Sequence, residues 1–289
     1  MITATNSAIP APLTVITGGS RGIGFALAEC FLGAGHHVLL VARDEETLVL
    51  AETALTSRYG ERVSILACDI ASPESAALIA SAAAGQGRFV DVLVNNAGLW
   101  SFAPYAELPR AEIERIVDVN MLAGLRLIHA ILPGMYERRR GRILNVGSLA
   151  GKFPAAGCAL YSASKSFMQT MTVALGREAA GTGVVVSLLL PGLVRTDFTQ
   201  AKSKDARSRS AVLFELVATD PAAVAEAGYL GLMSGQSVIV PGMVTRLVYA
   251  AQAMMPARLV SWLFLRVGRW LFGDDAVHGP VQAAPIRRT

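Results

Sequence analysis

The sequence is poor in charged and aromatic side chains. Only 17 % of its 289 residues are Asp, Glu, Lys or Arg and 7 % are aromatic, whereas 53 % are hydrophobic. Ordinary domains carry about 25 % charged residues, so this composition excludes a disordered protein and indicates deep burial, a membrane contact or both. The net charge of +4 comes from scattered basic residues, with no dense Lys/Arg run among aromatics. No nucleic-acid partner is therefore predicted.

Cysteines and long apolar segments are also scarce. The three cysteines, Cys30, Cys68 and Cys158, lie far apart and form no Cys-x-x-Cys pair. This pattern favours a reducing compartment and argues against a metal site. No signal peptide is predicted over Met1–Pro12, and the longest apolar runs, such as Val184–Leu190, fall short of the ~18 residues that a spanning helix needs. We expect a cytoplasmic protein without a transmembrane helix.

Short apolar runs alternate regularly with longer segments of helical period. Val, Ile and Leu occupy both faces of the predicted strands, as in parallel sheets that helices cover on both sides. The alternation predicts a Rossmann-type α/β fold with a doubly wound, parallel, seven-stranded sheet in a single domain over residues 1–242. The predicted strands are Leu13–Thr17, His37–Ala42, Val63–Cys68, Val90–Asn95, Arg142–Val146, Val184–Leu190 and Ser237–Val240. The predicted helices are Gly22–Gly33, Glu45–Tyr59, Pro73–Gly85, Glu112–Arg138, Ala159–Ala180 and Pro221–Met233.

Two segments fall outside this alternation. Gln200–Ser210 is short, polar and basic, and is either a solvated loop or a lid over a substrate. A C-terminal extension, residues 243–289, contains a predicted helix over Met243–Phe272. Within it, three arginines lie within about 80° of one another beside Trp, Phe and Leu, a composition typical of a helix in a membrane interface. Two interpretations stay open for this segment. Residues 257–272 either make a peripheral membrane contact or pack on the domain or on a second subunit. The three arginines are Arg258, Arg266 and Arg269.

A glycine-rich turn follows the first predicted strand and opens the first helix. Glycines allow the backbone to approach a pyrophosphate closely, and the N-terminus of the helix offers free N–H groups and the positive end of its dipole. The spacing Gly-x-x-x-Gly-x-Gly differs from the usual dinucleotide fingerprint, and no Gly-Lys-Ser/Thr follows that would indicate a nucleoside-triphosphate loop. The residues predicted to bind the cofactor here are Gly18, Ser20, Arg21, Gly22, Ile23 and Gly24.

The end of the second predicted strand indicates which nicotinamide cofactor binds. An acidic residue there would accept a hydrogen bond from the ribose 2′-OH, whereas an arginine would pair with a 2′-phosphate. Arg43 ends the strand, and Arg21 could close on the same phosphate. Asp44 is better placed to cap the following helix. We expect NADP(H) rather than NAD(H).

Tyr161 and Lys165 share one face of a predicted helix because they are four residues apart. A free tyrosine titrates near ~10, and a nearby ammonium together with a positive nicotinamide ring would lower that pKa. Such a tyrosine could give a proton to a developing alkoxide while hydride arrives from the cofactor. Ser148 follows the fifth strand, at the edge of the sheet where open α/β folds bind ligands, and its hydroxyl could orient the carbonyl oxygen. The segment Asn95–Gly98 ends the fourth strand at the same edge, either as a simple turn or as part of the site.

Together, these motifs resemble the short-chain dehydrogenase/reductase family over roughly residues 13–240. The resemblance implies an NADP-dependent enzyme that reduces a carbonyl to an alcohol or catalyses the reverse reaction, and that forms a homodimer or homotetramer. Within the family, the chain resembles the reductases of steroids and fatty-acyl ketones, which suggests a hydrophobic ketone or acyl substrate. The resemblance is carried by Thr17-Gly18-x3-Gly22-Ile23-Gly24, Asn95-Asn96-Ala97-Gly98, Ser148, Tyr161-x3-Lys165 and Pro191-Gly192.

The family resemblance also implies a role for each site residue. Tyr161 would be the general acid and base, Lys165 would bind the nicotinamide ribose and lower the pKa of Tyr161, and Ser148 would hold the substrate carbonyl. Asn120 would hold, through its backbone, a water in the proton relay from Lys165. The other implied cofactor contacts are Asp69 at the adenine with Ile70 beside it, Asn96, Ala97 and Gly98, and Pro191, Gly192, Val194 and Thr196 around the nicotinamide carboxamide.

Two other functions stay open at this point. The first is a 3-oxoacyl-thioester reductase, in which the basic residues of Lys202–Arg209 would meet a phosphate-bearing carrier. The second is a cofactor-binding sensor or scaffold that has lost turnover. The intact set of Ser148, Tyr161, Lys165 and Asn120 argues against the second.

Overall fold

Strands that are apolar on both faces require a layer of helices on each side, and the structure has both layers. The computed structural model describes residues 11–101, 103–153, 157–195 and 218–254, together with Trp262 and Arg266. Its strands are β1 (Ala11–Thr17), β2 (His37–Ala42), β3 (Val63–Ala67), β4 (Arg88–Asn95), β5 (Gly141–Val146), β6 (Val184–Leu189) and β7 (Val238–Ile239). They form one sheet in the order β3-β2-β1-β4-β5-β6-β7, and each neighbouring pair is parallel. The predicted Rossmann-type fold is confirmed.

Eight α-helices lie within the described residues. They are α1 (Gly22–Gly33), α2 (Glu45–Tyr59), α3 (Ser75–Gly85), α4 (Arg110–Val117), α5 (Ala123–Glu137), α6 (Ala159–Glu178), α7 (Pro221–Met233) and α8 (Met243–Met254). Up to α7, the boundaries of the predicted helices and strands agree with the structure to within two residues. The prediction of one helix over Glu112–Arg138 omits an internal irregularity, because a π-helical turn over Asp118–Leu122 separates α4 from α5.

The strands divide their side chains between two cores. In β2, Leu39 and Val41 contact the core beneath α3, α5 and α6, whereas Val38 and Leu40 contact the core beneath α1, α2 and α7. All four side chains are at most 1 % exposed. The period of two along a strand places successive residues on opposite faces, so an unbroken apolar run satisfies both helix layers at once.

The helical stretch Arg110–Glu137 is the one candidate membrane span within the described residues. It is 28 residues long, and its most apolar window has a mean hydropathy of 1.4. The sequence patterns predicted no such span. Leu127, Ile128 and Ile131 of this stretch belong to the core against the sheet, so its length and composition are explained by its place as a central helix.

A chain of buried polar side chains fixes the ends of the two central strands. The Asn95 Nδ2 atom donates to Asn145 Oδ1 at 2.8 Å, and Asn145 Nδ2 donates to Thr172 Oγ1 at 2.9 Å. These bonds join β4 to β5 and β5 to α6. Since buried polar groups must be paired, the chain fixes the register of the strands directly before their functional turns.

Substitution Thr172→Val tests this polar chain. The new side chain keeps the shape of threonine but leaves the buried Asn145 amide without an acceptor, so the free energy of unfolding should fall by about 1–3 kcal/mol. Urea denaturation measures the change. Thr53→Val, at an exposed position of α2, is the control and should change the stability by less than about 0.5 kcal/mol. Equal losses in the two variants would contradict the structural role of the chain.

Candidate active site

The carboxyl ends of β1, β4 and β5 meet at the place where the strand order reverses. The strands β1 and β4 are neighbours, but α1 after β1 covers one face of the sheet and α5 after β4 covers the other. This arrangement opens a crevice in which open α/β sheets bind their ligands. The glycine turn Gly18–Gly24 follows β1, Asn95–Gly98 ends β4, and Ser148 follows β5.

The glycine turn forms a backbone cradle at the N-terminus of α1. Gly18 and Gly22 have φ angles of +63° and +58°, a region that favours glycine. A Cβ atom on Gly24 would lie 2.2 Å from the Gly18 carbonyl oxygen. No acidic side chain occupies the first turn of α1, so the positive end of the helix faces the crevice without a competing charge. These features fit the pyrophosphate of a dinucleotide.

The turn after β4 braces the glycine turn. The Asn96 side-chain amide donates to the carbonyl oxygens of Thr17 and Gly18, at 2.9 and 3.0 Å. In return, the Thr17 hydroxyl accepts from the backbone N–H groups of Asn96 and Ala97, at 3.0 and 3.2 Å. The sequence analysis missed Thr17 as a member of this brace, although its position directly before Gly18 is a usable signal.

Tyr161, Lys165 and Ser148 come together between α6 and the end of β5. The Lys165 Nζ atom lies 5.9 Å from the centre of the Tyr161 ring and donates to the Val146 carbonyl oxygen at 3.1 Å. The Ser148 side chain lies close enough to the Tyr161 hydroxyl to lower the pKa of that phenol. The Trp100 ring meets the Tyr161 ring edge-on, with 6.5 Å between the ring centres. The arrangement therefore places a hydroxyl, a phenol and an amine on one wall of the crevice.

Burial opposes the ionisation of both Tyr161 and Lys165. It raises the pKa of Tyr161 to about 12, and this effect exceeds the lowering by the Ser148 side chain. Burial also lowers the pKa of Lys165 from 10.5 to about 8, since only 7 % of the residue is exposed. The protein alone thus shifts the pKa of Tyr161 in the opposite direction to the lowering expected from the sequence. That expectation includes the charge of a bound nicotinamide ring and stays a prediction for the loaded enzyme.

Asn120 lies in the π-helical turn between α4 and α5, and its side chain is held from several sides. Its Oδ1 atom accepts from the Leu99 N–H group at 2.7 Å, and its Nδ2 atom donates to the Leu99 carbonyl oxygen and to Ser164 Oγ at 2.9 and 3.0 Å. A cavity of about 20 Å³ adjoins Asn120 and Lys165, which is space for one water molecule. The remaining polar residues that line it are Thr17 and Asn95.

Arg43 and Asp69 lie at the ends of the adjacent strands β2 and β3. Asp44 caps α2 by accepting a hydrogen bond from the Thr47 N–H group at 2.9 Å, as the sequence predicts. Its carboxylate is therefore engaged, while the Arg43 side chain is exposed beside it. Arg115 of α4 forms a bidentate pair with Asp69 at 2.7 and 2.9 Å, which together with the Ala71 N–H group lowers the pKa of Asp69. The sequence analysis did not foresee this partner.

The first helix of the C-terminal extension packs beside the site. A Cβ atom on Gly192 would lie 2.7 Å from Thr245 Oγ1 of α8, and Tyr249 of the same helix packs against Leu149 and Phe153. Gly192 belongs to the segment after β6, and Leu149 directly follows Ser148. The described part of the extension therefore contacts both turns that flank the crevice.

The structure describes all but one of the predicted site residues. Thr196, the basic segment Gln200–Ser210 and most of residues 257–272 lie outside the described residues, so the lid and the membrane contact stay predictions, as does the homodimer or homotetramer. Of the predicted membrane segment, Arg266 lies over the Trp262 ring at 5.0 Å.

The described residues that lie at the crevice edge of the sheet are Gly18, Ser20, Arg21, Gly22, Ile23, Gly24, Arg43, Asp69, Ile70, Asn96, Ala97, Gly98, Asn120, Ser148, Tyr161, Lys165, Pro191, Gly192 and Val194. Within the described parts of the chain, no cluster of three or more His, Cys, Asp or Glu could hold a metal ion.

A parallel sheet in this order, with a glycine turn at its switch point, defines a dinucleotide-binding protein of the Rossmann class. The family model described as short chain dehydrogenase matches residues 12–207. The chain belongs to the short-chain dehydrogenase family.

Curated relatives and solved structures agree with this assignment. The chain is 35 % identical to a very-long-chain 3-oxoacyl-CoA reductase of Laccaria bicolor, over 69 % of this chain and 58 % of that protein's length. It is 34 % identical to the 3-oxoacyl-(acyl-carrier-protein) reductase of Vibrio cholerae, over 68 % and 79 % of the two chains. A short-chain dehydrogenase from Sphingobium yanoikuyae in complex with NADPH superimposes with a TM-score of 0.72 at 28 % identity, over 84 % of this chain and 95 % of that one.

The lowered pKa of Lys165 predicts a pH-dependent stability. Between about pH 8 and pH 10.5 the unfolded chain holds a proton that the folded protein releases, so the free energy of unfolding should rise with pH. The slope has a limit of about 1.4 kcal/mol per pH unit. Urea denaturation at pH 7.5, 8.5 and 9.5 measures it, and Lys165→Met should remove this contribution.

The control for this experiment is Lys152→Met, which replaces an exposed lysine in the turn after β5. It should leave the slope of the wild-type protein unchanged. Stability that rises equally in the wild type and in Lys165→Met would contradict a buried, easily deprotonated Lys165.

Proposed function

We propose that this protein is an oxidoreductase that reduces a carbonyl group to an alcohol with NADPH, with Tyr161 as the general acid. The observation that carries the proposal is the meeting of the Tyr161 phenol with the Ser148 hydroxyl and the Lys165 amine in the crevice at the switch point. When bound, the nicotinamide supplies the hydride. The residues of the chain then have to orient the carbonyl oxygen and give it a proton.

Ser148 and Tyr161 share the carbonyl oxygen in this proposal. The Ser148 hydroxyl donates a hydrogen bond to the oxygen, and the Tyr161 hydroxyl transfers its proton as negative charge develops there. Burial raises the pKa of Tyr161 to about 12 in the protein alone, so the phenol holds its proton at neutral pH. The positive charge of a bound nicotinamide ring would have to lower that pKa toward the operating pH for efficient proton transfer. The Lys165 ammonium beside the ring stabilises the phenolate that remains. Oxidation of an alcohol uses the same groups in the reverse order.

The small cavity beside Lys165 supports a route by which Tyr161 recovers its proton. It adjoins Asn120 and Asn95 and has room for one water. The Asn95 Oδ1 atom is buried and has no hydrogen-bond partner within the protein, so a water here would find an acceptor as well as the donor Lys165. We assign the water of the proton relay to this position.

The preference for NADP(H) is supported by the end of β2. Arg43 is exposed there, and the carboxylate of Asp44 is engaged at the helix cap. Arg21 is exposed at the start of α1, within the same turn as the glycine cradle. Two solved structures that this chain resembles contain NADPH or NADP.

The proposed substrate is a hydrophobic ketone or a 3-oxoacyl thioester. Trp100 lies at the Tyr161 ring, and an apolar cluster of Leu149, Phe153 and Tyr249 directly follows Ser148, which supports an apolar substrate. The names of the fungal and bacterial relatives give 3-oxoacyl thioesters as their substrates. The thioester alternative also depends on Lys202–Arg209, which lie outside the described residues.

Substitution Tyr161→Phe tests the acid role. Loss of the hydroxyl should lower the turnover of acetoacetyl-CoA with NADPH at least about 100-fold, because general acid catalysis contributes that factor or more. The dissociation constant for NADPH, measured by its fluorescence, should change less than about twofold. Tyr229→Phe, whose ring packs edge-on against Phe31 in the core, is the control and should keep wild-type turnover.

Full activity in Tyr161→Phe would refute the acid role. A wild-type protein that binds NADPH but reduces none of a panel of ketones, diketones and acyl thioesters would instead favour the sensor or scaffold.

Substitution Arg43→Ala tests the cofactor preference. Removal of a charge-assisted hydrogen bond should raise the KM for NADPH about 10-fold or more and leave the KM for NADH unchanged. Steady-state kinetics with both cofactors measure the two values. Arg110→Ala, an exposed arginine on α4, is the control for the loss of one positive charge. Equal changes for NADPH and NADH would exclude a contact between Arg43 and the 2′-phosphate.

A further inference from the structure

Gln169 joins the helix that carries Tyr161 and Lys165 to the turn that begins at Ser148. Its Nε2 atom donates to the backbone carbonyl oxygen of Ser148 at 2.7 Å. The residue is 3 % exposed. Tyr161, Lys165 and Gln169 are spaced four residues apart on α6, so all three side chains lie on the same face of this helix.

The turn after Ser148 lies directly on α6, and Gln169 fills the contact. A Cβ atom on Gly151 would lie 2.2 Å from Gln169 Nε2 and 2.8 Å from the Lys165 carbonyl carbon. Only glycine therefore allows the turn to approach the helix this closely. The Ser148 hydroxyl accepts from the Ala150 N–H group at 3.2 Å within the same turn, so a displacement of the turn moves the Ser148 hydroxyl with it.

The backbone N–H groups on either side of Ser148 form bonds along the sheet. The N–H groups of Gly147 and Leu149 donate to the carbonyl oxygens of Leu189 and Pro191, at 2.8 and 2.9 Å. These bonds tie the turn to β6 and to the segment that follows it. Gln169 supplies the bond from the Ser148 backbone to α6, which is the direction in which Tyr161 lies.

Packing alone does not account for an amide at this position. The Gln169 Oε1 atom is buried and has no hydrogen-bond partner within the protein, which is energetically costly. A methionine or leucine would fill similar space without that cost. The donor to the Ser148 carbonyl is the feature that distinguishes glutamine from them.

We infer that Gln169 is a positioning residue that sets the distance between the Ser148 and Tyr161 hydroxyls. It touches neither carbonyl substrate nor cofactor in this arrangement and acts through Ser148. The inference rests on the proposed function, in which both hydroxyls must reach one carbonyl oxygen at the same time. A small displacement of one of them is costly because proton transfer and hydrogen bonding depend steeply on geometry.

A double-mutant cycle between Gln169→Met and Ser148→Ala tests the inference, with acetoacetyl-CoA and NADPH as substrates. We expect Gln169→Met to lower kcat about tenfold, with the KM for acetoacetyl-CoA, the dissociation constant for NADPH and the melting temperature little changed. In the Ser148→Ala background the same substitution should cost less than about twofold, because its target is gone. Thr172→Val is the control, because Thr172 lies on the same helix but is bonded to Asn145 and not to Ser148. It should have the same effect on kcat in both backgrounds.

Three results would overturn the inference. The first is a fold-loss in kcat from Gln169→Met that is the same in the wild-type and Ser148→Ala backgrounds. The second is a loss of kcat that is accompanied by a lower melting temperature. The third is a wild-type kcat in Gln169→Met. Should Gln169→Met fail to fold, Gln169→Leu carries the same cycle, since it also fills similar space without the amide donor. A Ser148→Ala variant with wild-type kcat would contradict the proposed function itself, whereas full multiplication with a strongly impaired Ser148→Ala contradicts only the role of Gln169.

Discussion

The site depends on one buried cation. The Lys165 amine lies against the Val146 carbonyl oxygen, at the end of a central strand, and a buried ammonium is tolerated only where it is hydrogen-bonded. Two neighbouring segments leave space for the Lys165 side chain. A Cβ atom on Gly98 would come within 3.3 Å of Nζ, and the turn that carries Asn120 departs from α-helical geometry beside it. Tyr161 lies one helical turn before Lys165 on α6, so the position of the amine also fixes the position of the phenol.

Side-chain amides add to the backbone bonds that hold the turns around this cation. Asn96 fixes the glycine turn to β4, Asn145 joins the ends of two strands to α6, and Gln169 joins the Ser148 turn to that helix. Backbone bonds tie the turns after β1 and β5 to the neighbouring strands, and the amides fix the same turns in further directions. An amide can donate and accept at once, so a few of them convert a common fold into a crevice of defined geometry.

The fold could be predicted from the sequence because its signals are local. Strand ends, helix periods and the glycine turn are each readable within about ten residues, and Asp44 capped its helix where the pattern placed it. The bidentate pair of Arg115 with Asp69 was out of reach, since its members are 46 residues apart and nothing in either segment points to the other. The raised pKa of Tyr161 in the protein alone was out of reach for a similar reason. The sequence shows the neighbouring charge, but burial is a property of the assembled crevice.

The contacts of α8 have a consequence for how related chains could diversify. Thr245 and Tyr249 reach the two turns beside the crevice from a helix that follows the last strand, whereas the glycine cradle and Tyr161 belong to earlier elements. Exchange of α8 between related chains would therefore reshape one wall of the crevice as a separate module. Redesign could proceed from that end of the gene while the glycine cradle and the helix of Tyr161 and Lys165 are inherited intact.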